Sequence, residues 1–355
     1  MKTSLSCILM ITLYLQLPCY AGQWINPKDV IGDPMIARLQ GGRAELNGLE
    51  KSEIEKYGFT GLEIITYLDG NLWPGKDNDA FYRLVHVTAG GNITVSLWIR
   101  RDKHYFKDNR AIVTHDGIKP GEIKEKERHY HITPPDIAEA QDVIEHFMTS
   151  EKFQINQREW VWLKKTRKIS PYESNVKEDN YAGTELTYDE FRRWRRPWEE
   201  DHRILGEDRI DGYDCFVVES KNHNPKYYLS KRLSWVEKNN FIDLHEEQFG
   251  RDGRLLKVFD KKWEQVKPWN YWVRKELNVI NLKSRDRTLL QTAGWIFDQG
   301  LEDSFFYVGN LNRRHIWRDI KDPFPSVKKV SDLPPPPQVQ SGFWQEIGVK
   351  PELAK

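Results

Sequence analysis

The chain has 355 residues, enough for one large β domain or two of average size. Its 54 basic and 53 acidic residues nearly cancel, so bulk charge selects neither nucleic acid nor an anionic membrane surface as a partner. Fourteen tryptophans and few methionines favour strands over a helical bundle.

Met1-Lys2 supplies a short positive start, and Leu5 to Leu17 is apolar apart from scattered Ser, Thr and Gln. Cys19-Tyr20-Ala21 before Gly22 offers a small residue at the cut, so residues 1–21 read as a cleavable signal peptide. The rival is a lipoprotein signal acylated at Cys19, to which Gln16-Leu17-Pro18 is a poor match. No other stretch reaches the roughly 18 apolar residues of a membrane-spanning helix. Cys7 and Cys19 precede the cut, leaving Cys215 without a partner for an internal disulfide.

Residues 22–59 form a mixed N-terminal segment with a short helix near Ser52 to Lys56. From Thr60 onward, strand-like runs recur. They cover Leu62 to Tyr67, Ala80 to Val87, Ile93 to Arg100, Trp160 to Lys168 and Cys215 to Ser220. Further runs are Tyr227 to Val236, Phe241 to Phe249, Leu255 to Trp263, Tyr271 to Leu282 and Thr288 to Phe297. Gly90-Gly91, Asp211-Gly212 and Asp252-Gly253 punctuate them as hairpin turns. Strands in succession without intervening helices predict a mainly β (α+β) antiparallel barrel or strongly curved sheet. One stretch departs from this: Ile137, Ala140, Ile144 and Phe147 fall at helical spacing, predicting an amphipathic helix over 137–148. Residues 170–203 read as a charged, turn-rich excursion carrying Tyr181, Trp194 and Trp198. The run Pro334 to Pro337 is stiff and extended, so 322–355 reads as a strap or loose tail.

Catalytic signatures are thin. The chain has no G-x-S-x-G elbow, H-E-x-x-H pair or phosphate-binding glycine pattern. Cys215 lies in the apolar run Cys215-Phe216-Val217-Val218, which suits a packed thiol better than a nucleophile. His129 and His131 would share a strand face near Glu127, but spacing identifies no third metal ligand, so solvated strand histidines are the expected reading. Glu199-Glu200-Asp201 with His202 reads as a charged loop. Trp160 and Trp162 share one face of a strand whose other face carries Val161 and Leu163. Leu233 and Trp235 alternate with Arg232 and Ser234, and Tyr271, Val273, Leu277 and Val279 fall on one face of theirs. One-sided strands fit either a plain closed core or a barrel interior that holds a ligand.

Four stretches resemble the outer-membrane lipoprotein-sorting (LolA-like) proteins of bacterial periplasms. They are His131 to Asp136 (HITPPD), Glu159 to Ser170 (EWVWLKKTRKIS), Tyr181 to Phe191 (YAGTELTYDEF), and the long run Leu205 to Asn312. Gly183-Thr184-Glu185, the helix-like insert 137–148 and the Pro-rich tail depart from the family pattern. The resemblance implies an incomplete, highly curved antiparallel β-barrel over 60–312, covered by helices or loops, with 313–355 as a tail. It also implies a non-catalytic periplasmic carrier without a cofactor or metal, holding a lipid or lipoprotein acyl chain and serving an RND-type membrane exporter. Candidate cavity or core residues are Trp160, Trp162, Phe216, Val218, Leu233, Trp235, Leu256, Trp263, Val273 and Leu277. The competing readings are an envelope interaction module with a solid β core, docking through Trp194, Trp198 and the tail around Phe343-Trp344, and a metal or hydrolytic enzyme using His129, His131 and neighbouring carboxylates. The mature protein should begin at Gly22. Intact-mass analysis of the exported protein tests this, and a mass fitting an acylated Cys19 would replace it with the lipoprotein reading.

Overall fold

The computed structural model describes residues 47–72, 74–105, 123–148, 155–172, 179–191, 197–313, 317 and 321–340. Among the described residues two helices, α1 (Gly48–Tyr57) and α2 (Gly61–Asn71), precede the strands, each under a capping box. Asn47 and Thr60 accept hydrogen bonds from the backbone three residues on, and Glu50 and Glu63 reciprocate. A strand was expected at Leu62 to Tyr67. The backbone is helical there because Thr60-x-x-Glu63 caps a helix start and Ile64, Ile65 and Leu68 recur at helical spacing. A Cβ on Gly61 would lie 2.9 Å from the backbone of His202 and Arg203, so glycine is what lets the start of α2 touch the sheet. The buried Glu53 carboxylate joins the parts by accepting from Gly61 N–H at 3.0 Å and Ile204 N–H at 2.6 Å. Burial raises its pKa against those backbone donors.

The described strands are β1 (Asp77–Val87), β2 (Ile93–His104), β3 (Ile123–Thr133), β4 (Gln141–Met148), β5 (Ile155–Leu163), β6 (Lys168–Tyr172) and β7 (Glu200–Ile210). They continue as β8 (Tyr213–Asn222), β9 (Leu229–Glu237), β10 (Asp243–Gly250), β11 (Leu255–Val266), β12 (Tyr271–Asn281) and β13 (Arg287–Phe297). All thirteen form one sheet in the order β6-β5-β4-β3-β2-β1-β13-β12-β11-β10-β9-β8-β7. Every pairing is antiparallel and between sequence neighbours, except that β1 pairs with β13. Two meanders therefore meet along one central seam, and β6 and β7 are left as edges. This is an incomplete, curved antiparallel barrel, as expected. A single helical turn, α3 (Tyr188–Phe191), lies in the connection between the two edges.

The hairpin turns fall where glycine marked them. At Asp211-Gly212, φ values of 49° and 86° make a two-residue turn between paired Ile210 and Tyr213. The helix expected over 137–148 is instead a turn followed by β4. Strand alternation puts Asp142, Ile144 and His146 on one face, where they pair with His129, Glu127 and Glu125 of β3. That ladder outweighs the helical spacing of the apolar residues. The run expected over Trp160 to Lys168 is likewise interrupted: β5 ends at Leu163 and β6 begins at Lys168. Glu200, Asp201 and His202 start β7 rather than a loop.

Both faces of the sheet are covered. On the inner face, α1 and α2 pack Phe59, Ile64, Ile65 and Leu68 onto Phe216, Val218 and Val236. A second inner cluster gathers Tyr82, Trp98, Val273, Leu277 and Trp295 across the seam. Leu233 and Trp235, expected on a one-sided strand, belong to the outer face with Cys215, Val217 and Phe249. Ser234 between them and Val236 after them are equally buried, so this strand is covered on both sides. Cys215 is a core thiol, pushed up to about 12 by burial.

The outer cover is the segment that follows β13. The Asp77 carboxylate accepts from the N–H groups of Gln299, Gly300 and Leu301, which turns the backbone across the sheet. Arg128 donates to the carbonyls of Phe305 and Asn310, while Arg101 and Arg128 both lie over the Phe305 and Trp317 rings. Arg83 then binds the Pro325 carbonyl, and Arg287 and Asn278 bind those of Pro334 and Pro335. Gln340 N–H reaches Glu247 of β10, beside Val339 on the outer cluster. Extended proline has carbonyls but no N–H donors, and these sheet side chains supply the missing donors. The tail through residue 340 is thus a strap that crosses the seam and ties one meander to the other. Phe343-Trp344, Trp194 and the Trp198 side chain lie outside the described residues. Trp317→Ala removes the ring packed against Tyr130, Phe305 and the two arginines, and should cost about 3–5 kcal/mol of stability. Urea unfolding measures it, and a loss within error of zero would show that the strap carries no stability there.

Candidate ligand cavity

A cavity of about 440 Å³ lies on the inner face of β3 to β6, beneath the segment 181–191. Its walls mix apolar and polar side chains. Ile144 and Val161 share the cavity face of β4 and β5 with Asp142, His146, Gln157 and Glu159, and Tyr181, Tyr188 and Phe191 close the top. Leu163 and Tyr172, at the rim formed by β5 and β6, are 40 % and 48 % exposed, and they share that rim with the exposed Thr166, Lys168 and Ser170.

The cover is held from the opposite meander. Thr187 and Glu190 cap α3 reciprocally, at 2.8 and 3.2 Å. Lys257 of β11 donates to Glu190 at 2.8 Å and to the Glu185 carbonyl at 2.6 Å. Thr288 accepts from Glu185 N–H, and the hydroxyls of Tyr227 and Tyr228 donate to Asp189 and Glu190. Tyr181 stacks on Phe191 with ring centroids 3.8 Å apart, and Phe191 in turn meets Trp98. Burial drives the Tyr181 phenol well above its ordinary pKa, keeping it neutral.

The floor is ionic. His129 Nδ1 and His131 Nε2 each lie 2.7 Å from a different oxygen of Asp142. Glu127 lies 3.2 Å from His129 Nε2, 2.8 Å from His146 Nε2 and 3.1 Å from an Arg100 nitrogen. Burial alone would lower the His129 pKa, but Asp142 and Glu127 outweigh it and push it up to about 10. Burial would raise Asp142 and Glu127. The neighbouring histidines and Arg100 overcome that and hold both well below the carboxylate range. The cavity is therefore amphipathic, with charge at its floor and the apolar side chains of Ile144, Val161, Leu163 and Tyr172 between there and its rim.

None of the ten residues singled out from sequence lines this cavity. Phe216, Val218 and Trp263 pack against α1 and α2, and Val273 and Leu277 fill the seam cluster. Leu233 and Trp235 lie under the strap, and Leu256 is half-buried at a bulge of β11. Trp160 and Trp162 are half-buried on the face opposite the cavity; their neighbours Glu159, Val161 and Leu163 line it. His129 and His131 do share a face, as their spacing implied. Asp142 was missed because it sat inside a stretch read as helix, although Asp142-x-Ile144-x-His146 carries the period of two that would have exposed it.

A family model described only as an uncharacterized protein matches residues 139–313. No curated protein matches the sequence. Among solved structures, the fold is shared with a DUF1329 family protein from Desulfovibrio piger. That likeness has a TM-score of 0.59 and 17% identity, and covers 75% of this chain and 100% of the other. It is also shared with a domain designated as outer-membrane lipoprotein-sorting from Vibrio parahaemolyticus. There the TM-score is 0.57 and the identity 19%, with 71% of this chain and 98% of the other covered. The resemblance carried by the four stretches is thus a resemblance of fold. Phe191→Ala should cost about 3–5 kcal/mol, because the ring is held between Tyr181 and Trp98. Thermal unfolding tests it; an unchanged midpoint would mean that the cover is not packed as described.

Proposed function

We propose that the protein is a non-catalytic periplasmic carrier of an amphipathic lipid or lipoprotein acyl chain. The observation that carries the reading is the cavity in which Ile144, Val161, Leu163 and Tyr172 lead from the rim to a charged floor. An acyl chain would lie between Ile144, Val161 and Tyr188, removing apolar surface from water at roughly 25 cal/mol per Å². Its head group would meet the floor at His131 and Asp142, two of the charged residues that line the cavity. Release needs only that the cover over Tyr181 and Phe191 shift, since the cover is bonded to the other meander by side chains rather than by strand pairing. The fold shared with a designated lipoprotein-sorting domain supports this reading. The signal-like N-terminus supports the periplasmic location, and the family resemblance supports exchange with an RND-type exporter.

Organic extraction of the protein purified from its host, followed by mass spectrometry, should return a lipid at close to one per protein molecule. Uptake of a fluorescent fatty acid by delipidated protein should be saturable. Ile144→Trp, which fills the cavity, should abolish that uptake without changing the far-ultraviolet circular dichroism. No extracted lipid together with no uptake, or uptake undiminished in a folded Ile144→Trp protein, would remove the carrier reading.

A further inference from the structure

We propose that His129, His131 and Asp142 form a binding site for a divalent transition-metal ion of the zinc class at the floor of the cavity. Strand pairing supplies the third donor that spacing alone lacked. His129 and His131 share the inner face of β3, and Asp142 of β4 stands directly opposite His129. The donor atoms of the three lie within 4.8 Å of one another. The two imidazole nitrogens now sit 2.7 Å from the Asp142 oxygens, as ion pairs. Tetrahedral bonds of about 2.1 Å would set neighbouring donors about 3.4 Å apart. Seating an ion therefore opens each contact by less than about 1 Å, within reach of side-chain rotation.

Three further features point to a ligand. Asp142 is more than nine-tenths buried, and its two oxygens are turned one to each imidazole. The far nitrogen of His129 faces Glu127, the carboxylate–histidine arrangement that orients metal-bound imidazoles. All three donors line the cavity, so a fourth coordination position faces its interior, where water or an anionic head group can enter. Two imidazoles and one carboxylate suit zinc, nickel or ferrous ion rather than calcium or magnesium.

Two other clusters bring acids and histidines together: Asp102, His104 and Glu125, and Glu125, Glu127 and His146. Arg100 lies 2.6 Å from Asp102, 3.6 Å from Glu125 and 3.1 Å from Glu127. Its guanidinium already supplies the positive charge there and would repel a second cation. The proposed site is the cluster that does not include any of these three partners, and it stands independently of the carrier reading.

The test uses the full mature protein, stripped with chelator and titrated with zinc alone by calorimetry. One equivalent should bind, with about 100-fold weaker binding in Asp142→Asn and His131→Ala, and about 10- to 100-fold weaker binding in Glu127→Gln. Zinc-edge absorption of the unmodified protein keeps the proposal testable if a variant fails to fold: it should show two imidazoles and a carboxylate oxygen. Substoichiometric binding, unchanged affinity in folded Asp142→Asn, or an edge spectrum without imidazole scattering would each overturn the site. Loss of binding in Glu125→Gln with retention in Asp142→Asn would overturn it too, placing the ion in the neighbouring cluster.

Discussion

The pairing of β1 with β13 is the constraint on which the rest depends. It joins residues about as far apart along the described sequence as the sheet allows, from Asn78 with Phe297 to Val87 with Arg287. Such a contact closes a loop of some two hundred residues, whose entropy grows only slowly with length but must be met before any long-range contact can repay it. Tyr82, Leu84, Leu290 and Phe297 bury their side chains on the inner side of the seam, and Val85 and Leu289 on the outer. The strap then crosses the same seam on the outer face, bonded in turn to β3, β1, β13, β12 and β10. The cover over the cavity crosses it on the inner face. Without the seam, the cavity would have walls from one meander and a roof attached to nothing.

The ionic floor is costly in a different way. Buried carboxylates and imidazoles lose hydration, and their mutual attraction repays this only where geometry is good. Replacing such a network with apolar residues is often neutral or stabilising, so the floor is poorly explained by stability alone. Glu125 makes the point: both its oxygens are buried without a hydrogen bond, held only by ion contacts of 3.4 to 3.9 Å. Local rules broken together in one place are expected at functional or strained sites.

Much of the fold was legible because its signals are local. Asp-Gly and Gly-Gly turns located three hairpins, and alternation located most strands of the second meander. The errors arose where two periods competed. Leu62 to Tyr67 is apolar enough to read as a strand, and only the Thr60–Glu63 cap betrays the helix. Ile137 to Phe147 has apolar residues at helical spacing, but the charged partners across the ladder from β3 decide for a strand. The third matched stretch, Tyr181 to Phe191, proved to be the cavity cover. The lining itself was hidden because Trp160 and Trp162 drew attention to one face of β5 while Val161 and Leu163 form the wall on the other. Side-chain size is visible in a sequence; which face of a doubly covered strand meets a cavity is decided by what packs on it.

The central claim is that this cavity, and no other face of the sheet, receives the apolar ligand with its head group at the ionic floor. Crystals grown with a terminally brominated fatty acid test it most directly, through the anomalous signal of bromine. The account predicts one bromine site near the mouth, beside Leu163 and Tyr172, with carboxylate density against His131. Bromine on the outer face beneath the strap, or none in the cavity at saturating ligand, would contradict it.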